Sequence, residues 1–178
     1  YSIAVFGTSI IAGTYRGIYL STDNGKSWIH KNQVFGNVEP PVVRSILKNG
    51  SSIIAVTDDW VVVSPDNGRS WTLVRPQMMR LTSLCKIGSR IFAGAYQNVY
   101  VSQNNGKSWN RIYNELNQLS DVNVTALAAL DSVLFAGTLE GILKSTDFGI
   151  HWVKLDSGLT DHLISALHAD GKHLYAGT

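Results

Sequence analysis

Cysteine is almost absent. The chain has one, Cys85, so it can form no intrachain disulfide and offers no cysteine cluster for a metal. Charge is also scarce, at 16% of residues, and the net formal charge is only +2. Lysine and arginine are scattered without a basic run, which excludes the electrostatic footprint of a nucleic-acid-binding surface. No apolar run approaches the roughly 20 residues of a membrane-crossing helix, so no membrane insertion is expected. Helical periodicity is missing too, and the only weak helical candidate is Glu115 to Leu119. The five histidines (His30, His151, His162, His168 and His173) show no ligand spacing, so no metal and no cofactor are expected. No glycine-rich phosphate loop stands out among the 16 glycines.

What remains is rich in Ser, Thr, Asn and Gly, the residues of tight turns between short strands. The hydrophobic fraction of 44% and mean hydropathy of +0.03 fit a globular protein with a real core. The dominant feature is a repeat. Ser21-Thr22-Asp23-Asn24-Gly25-Lys26-Ser27-Trp28 returns as Ser64-Pro65-Asp66-Asn67-Gly68-Arg69-Ser70-Trp71 and as Ser102-Gln103-Asn104-Asn105-Gly106-Lys107-Ser108-Trp109. A looser fourth copy is Ser145-Thr146-Asp147-Phe148-Gly149-Ile150-His151-Trp152. The four tryptophans lie 43, 38 and 43 residues apart. Five triplets of the Ala-Gly-Thr kind, beginning at Ala12, Ala55, Ala93, Ala136 and Ala176, give a second landmark. Each of the first four opens nine residues before the serine of its turn. All length variation falls after the tryptophan, as in a fixed hairpin unit joined by variable connections.

Each unit reads as four short strands, rich in Val, Ile, Tyr and Phe. Strand A covers Ser45 to Lys48 and its equivalents. Strand B covers Ile53 to Thr57 or Ile91 to Ala95. Strand C covers Trp60 to Ser64 or Val99 to Ser102, and strand D begins at the tryptophan. Four-stranded units of about 40 residues in tandem predict an all-β fold, a β-propeller of antiparallel blades. The expected organisation is a single propeller segment over 1–178. Its blades fall near 1–38, 39–78, 79–120 and 121–162, with a partial blade at 163–178. Both ends read as mid-strand and predict a segment of a longer propeller; a small ring, or closure with another chain, is the alternative.

The turn residues have physical tasks. Aspartate at the third position (Asp23, Asp66, Asp147, with Asn104 in the third copy) can accept backbone N–H bonds along the turn. Glycine at the fifth (Gly25, Gly68, Gly106, Gly149) can take positive φ. Serine at the seventh can bond the backbone. Tryptophan (Trp28, Trp71, Trp109, Trp152) is expected to bury its ring between neighbouring sheets. These residues resemble the Asp-box, or bacterial neuraminidase repeat, Ser/Thr-x-Asp-x-Gly-x-Ser/Thr-Trp. Copies one and two match fully, copy three has Asn104 for Asp, and copy four has His151 for Ser/Thr. The resemblance covers nearly the whole chain and implies the propeller fold, with the boxes at the periphery, away from any active site. The family includes sialidases, xyloglucan-degrading enzymes, sortilin-type receptors and a photosystem II assembly factor, so fold alone does not give the activity.

The functional face is expected at the other end of the blades, where the B–C turns and D–A connections lie. The candidate binding residues there are Tyr15, Arg16, Arg44, Asp58, Asp59, Trp60, Tyr96, Gln97 and Glu140. The connections are Phe35 to Val43, Pro76 to Arg80, Asn114 to Asp121 and Asp156 to His162. The resemblance implies that a sialidase would need three arginines, a Tyr–Glu pair and an Asp acid/base; Arg16, Arg44 and Arg80 are the arginines available, and no motif ties them together. Other glycosidases need two carboxylates about 5–10 Å apart. Asp58, Asp59 and Glu140 are the candidates, from the second and fourth blades. Adjacent Asp58-Asp59 also fits a capped turn. Trp60 suits sugar stacking or a protein hot spot, or packing on a neighbouring blade. Cys85, mid-strand without a partner base, reads as a small buried residue. No catalytic residue is assigned. The expectation is an extracytoplasmic, non-catalytic propeller module with a glycan or protein partner. The alternatives are part of a glycoside hydrolase, or an assembly-factor or sortilin-like receptor propeller.

Overall fold

The structure, a computed structural model, describes residues 2–75, 80–96, 98–112, 122–155 and 157–178. It is all-β, and its strands form blade-like sheets ordered A-B-C-D. The first sheet is β1 (Ser2–Phe6), β2 (Ser9–Thr14), β3 (Gly17–Ser21) and β4 (Ile29–His30). The second is β5 (Val43–Asn49), β6 (Ser52–Thr57), β7 (Val61–Ser64) and β8 (Thr72–Val74). The third is β9 (Leu81–Ile87), β10 (Arg90–Ala95), β11 (Asn98–Ser102) and β12 (Asn110–Arg111), and the fourth is β13 (Ala126–Leu130), β14 (Val133–Thr138), β15 (Gly141–Ser145) and β16 (Val153–Leu155). A two-stranded sheet, β17 (Ala166–Ala169) with β18 (Leu174–Gly177), follows. Neighbouring strands within each sheet pair antiparallel. These are four propeller blades and the first two strands of a fifth.

The chain divides into two compact units. The first holds blades one and two, with Asn105–Ser108; the second holds Thr82–Asn104 and Trp109–Thr178. Each has its own core, built by one rule. Side chains alternate across a strand, so each inner strand has a face toward each neighbouring sheet. In the first unit Ile11, Ile18 and Leu20 of blade one meet Ile46, Ile53, Ala55 and Val62 of blade two. In the second unit Phe92 and Val99 of blade three meet Leu127, Leu134 and Ala136 of blade four. Phe135 and Ile142 then meet Ile164, with Leu167 and Leu174 of the fifth sheet packed against them. Inner strands packed on both sides read as nearly continuous apolar runs, such as Ile-Ile-Ala-Val in β6.

The position after the triplet alanine shows how closely the sheets approach. A Cβ on Gly13 would lie 2.6 Å from Val43 Cγ1, and one on Gly137 would lie 2.5 Å from Ile164 Cγ2. Glycine is the residue that fits where the next sheet comes this near. In blade two the same position holds a fully buried Val56.

Two expected strand limits are corrected. Strand D starts one residue after the tryptophan in each blade. Where the bond is described, the indole N–H turns back to the box glycine carbonyl, at 3.1 Å in the first two copies and 2.9 Å in the fourth. The tryptophan thus closes the turn instead of joining the ladder. Strand C of blade two starts at Val61, because the Trp60 N–H is taken by Thr57 Oγ1 at 2.9 Å.

Candidate functional site

At one end of each blade the repeated turn is a closed hydrogen-bond unit. In the first copy the Asp23 carboxylate accepts from Ser21 Oγ (2.8 Å), the Ser27 N–H (2.9 Å) and Ser27 Oγ (2.6 Å). The second copy repeats this around Asp66, with 2.9, 2.8 and 2.6 Å. In the fourth, Asp147 accepts from Ser145 Oγ and the His151 N–H, and His151 Nδ1 stands 2.6 Å away where a serine hydroxyl stood before. In the third, Ser102 Oγ donates to Asn104 Oδ1 at 3.1 Å.

Two corrections follow for the turn. In copies one and two the seventh-position serine hydroxyl bonds the aspartate carboxylate, not the backbone. Ring burial is not uniform: Trp152 is 9% exposed and packs with Phe92 and Val99 of blade three, whereas Trp28 is 43% exposed. Sequence reasoning also passed over two members. The opening serines Ser21, Ser64, Ser102 and Ser145 are buried, and those of copies one, two and four accept the glycine N–H. The residue before each glycine takes positive φ, 58°, 59° and 56° at Asn24, Asn67 and Asn105, where asparagine is at home.

These bonds hold the carboxyls of Asp23, Asp66 and Asp147 down at about 2, with Ser27, Ser70 and the His151 N–H as the leading partners. A depressed folded-state pKa gives stability that is fully present above the ordinary carboxylate range and is lost as pH falls. The urea midpoint is therefore expected to be flat from neutral pH to about 5 and to fall between about pH 4 and 2. Asp66→Asn should reduce that fall. A midpoint unchanged down to pH 2 would show that the boxes are open in solution.

The opposite end carries the candidate binding residues. Here the triplet threonine does the work. Thr14 Oγ1 donates to the Gly17 carbonyl at 3.0 Å and accepts the Arg16 N–H at 3.0 Å. Thr138 makes the same pair with the Gly141 carbonyl and the Glu140 N–H. The triplet is thus a cap for the B–C turn as well as a landmark. Asn32 Nδ2 adds a bond to the Arg16 carbonyl at 3.0 Å. Tyr15, 64% exposed, therefore projects from a fixed turn.

In the same unit β5 bulges: Val43 pairs with Thr57 and Ser45 with Val56, leaving Arg44 as the extra residue. A bulge re-aims a side chain. Arg44 Nε and Nη2 reach the two oxygens of Asp58 at 2.8 and 3.2 Å. The Asp58 carbonyl accepts the Leu81 N–H at 3.2 Å. Beside them Trp60 stacks on Phe35 with centroids 5.9 Å apart and lies under Arg75 at 5.9 Å. Phe35 ends a short 3-10 turn, Asn32–Phe35, and is buried. Trp60 thus packs on the connection from blade one. Asp59, next to it in the chain, is exposed.

The structure therefore brings together Tyr15, Arg16, Arg44, Asp58, Asp59 and Trp60 on the first unit. Tyr96 and Glu140 belong to the second unit. Tyr96 is exposed and bridges to Asn123. Gln97 lies outside the described residues, as do most of Pro76 to Arg80, Asn114 to Asp121, and Asp156. Arg80 is exposed, with φ 55°. Cys85 is buried, and burial pushes its thiol well up, away from nucleophile chemistry. The Arg44–Asp58 pair neutralises one of the two adjacent carboxylates. What the first unit offers is aromatic surface, paired charge and hydrogen-bonding turns, the chemistry of recognition.

Among solved structures, similarity is extensive in shape and low in sequence. The extracellular domain of the hybrid two component system BT4673 from B. thetaiotaomicron matches with TM-score 0.75 at 18% identity, over 99% of this chain and 26% of that one. An ancestral GH74 enzyme matches with TM-score 0.71 at 24% identity, over 95% of this chain and 25% of that one. YCF48 from Cyanidioschyzon merolae matches with TM-score 0.77 at 14% identity, over 99% of this chain and 63% of that one. YCF48 is also known bound to D1 peptide, in a structure matching with TM-score 0.72. The chain is a propeller module. It spans about a quarter of the first two and under two thirds of YCF48. No family model matches it, and no curated protein does.

Proposed function

We propose that this chain is a non-catalytic binding module of the Asp-box propeller type, acting outside the cytoplasm on a protein or glycan partner. The observation that supports it most is the B–C end of the first unit. There Tyr15 and Arg16 stand exposed on a capped turn of blade one, Trp60 of blade two stacks on Phe35, and Arg44 is already engaged by Asp58. Such a surface stacks and hydrogen-bonds a partner and leaves bonds in it intact. The likeness to the extracellular domain of a two component system and to a propeller known bound to a peptide fits this use. A glycan array and an affinity capture with the full-length protein test it. Tyr15→Ala is expected to weaken the captured partner about tenfold, the scale of a modest aromatic hot spot, at unchanged melting temperature. Absence of any partner, or equal binding by the variant, would count against the module as drawn.

The glycoside hydrolase reading rests on the resemblance of the repeat and on the fold shared with the GH74 enzyme. Turnover of a sialoside or a β-glucan by the full-length protein would replace the binding proposal.

A further inference from the structure

The fourth turn departs from the others in three places. Phe148 stands where copies one to three have Asn24, Asn67 and Asn105. Ile150 stands where they have Lys26, Arg69 and Lys107, and His151 replaces serine. A bulky residue at φ 61° is uncommon, because its Cβ crowds the backbone there. The turn itself gains nothing from this exchange: Asp147 keeps its bonds through His151.

What the exchange makes is a pocket. Phe148 lies parallel to Phe92, with centroids 6.5 Å apart and an interplanar angle of 1°. Together with Val101, Ile112, Ile150 and Arg90 they line a cavity of about 220 Å³ within the second unit. The walls are apolar and the cavity is open on one side. Arg90 stands where blades one and two have Ser9 and Ser52. Its guanidinium lies 4.3 Å above the Phe148 ring, and among the described residues it has no carboxylate partner. Stacking uses the face of the guanidinium and leaves its in-plane N–H fork available. A carboxylate, planar like the guanidinium and smaller than a phosphate, matches that fork in a cavity of this size. Asp147, at the rim, does not supply it, since its oxygens are taken by Ser145 and His151.

We propose that this pocket binds a small carboxylate with an aromatic or branched apolar body, the body against Phe148, Val101 and Ile112 above the buried Phe92 and the carboxylate on Arg90. The volume, below the roughly 300–1,000 Å³ of drug-sized sites, fits a single ring with a short acid arm. It is a second site, at the repeated-turn end of its own blades and not at their B–C turns.

Titration of the intact chain with 3-phenylpropanoate and with 3-phenylpropanamide, followed by NMR, tests it. Saturable binding of the acid, at least tenfold tighter than the amide, is expected. Arg90→Gln should abolish that preference while leaving the melting temperature near wild type. Phe148→Asn restores the residue of the other copies and should fold normally, yet lose affinity for both compounds at least tenfold. No saturable binding of the acid by the wild-type chain, equal affinity for acid and amide, or an acid preference that survives Arg90→Gln overturns the proposal. So does undiminished binding by Phe148→Asn. If Phe148→Asn fails to fold, the Arg90→Gln comparison decides alone.

Discussion

Trp152→Ala is expected to destabilise the chain by about 3–5 kcal/mol, the usual cost of truncating a large buried aromatic. The same change at Trp28 should cost only about 1 kcal/mol, the scale of one hydrogen bond and a partly covered ring. Both residues close the same turn and both donate to the box glycine carbonyl. They differ in what lies behind the ring. Trp152 packs in the core with Phe92, Val99 and Leu134. Trp28 is 43% exposed. Urea denaturation followed by far-UV circular dichroism separates the cases, since the turn contribution is common to both. Equal costs would mean that Trp28 is covered in solution by something the chain itself does not provide.

The second large effect is expected from adding bulk where sheets touch. Gly137→Val should cost about 1–3 kcal/mol or more by overpacking. The new Cβ alone would stand 2.5 Å from Ile164 Cγ2 and 3.1 Å from Ile164 Cβ. Ile164 is fully buried, so it has no open side to move into. The repeat supplies its own control. Gly177 occupies the equivalent position in the fifth sheet, where the nearest atoms to a Cβ are 3.6 Å away. Gly177→Ala should therefore be near neutral. Melting temperatures of the two variants make the comparison, at about 2–4 °C per kcal/mol for a chain of this size. A Gly137→Val protein that melts with the wild type would show that the fifth sheet is not seated on blade four.

These variants also mark the boundary between local and tertiary information. The boxes were legible because a turn is a local object. Aspartate, glycine and serine meet each other within eight residues, so spacing alone brings their bonds together. Even so, the opening serine was missed as an acceptor, because its partner, the glycine N–H, is visible only once the chain has turned. Trp28 and Trp152 read identically in sequence, yet one is surface and one is core. The candidate binding residues were legible as a group through the shared position of the B–C turns. The Arg44–Asp58 pair was not, because it depends on a one-residue bulge in β5 that no pattern announces. Phe148 was visible as a mismatch in the repeat. Its stacking on Phe92 and Arg90, which come from the neighbouring blade, was not.

The repeat, the strand order within each blade, the turn chemistry and hence the propeller class are legible in the residue order alone. Those follow from contacts a few residues apart and from side-chain alternation. Which tryptophan is buried, where glycine is obligatory, which arginine is neutralised and which stands over an open pocket emerge from the packing of neighbouring sheets. Each of those depends on the distance between residues of different blades, and a repeat of 38 to 43 residues carries no record of that distance.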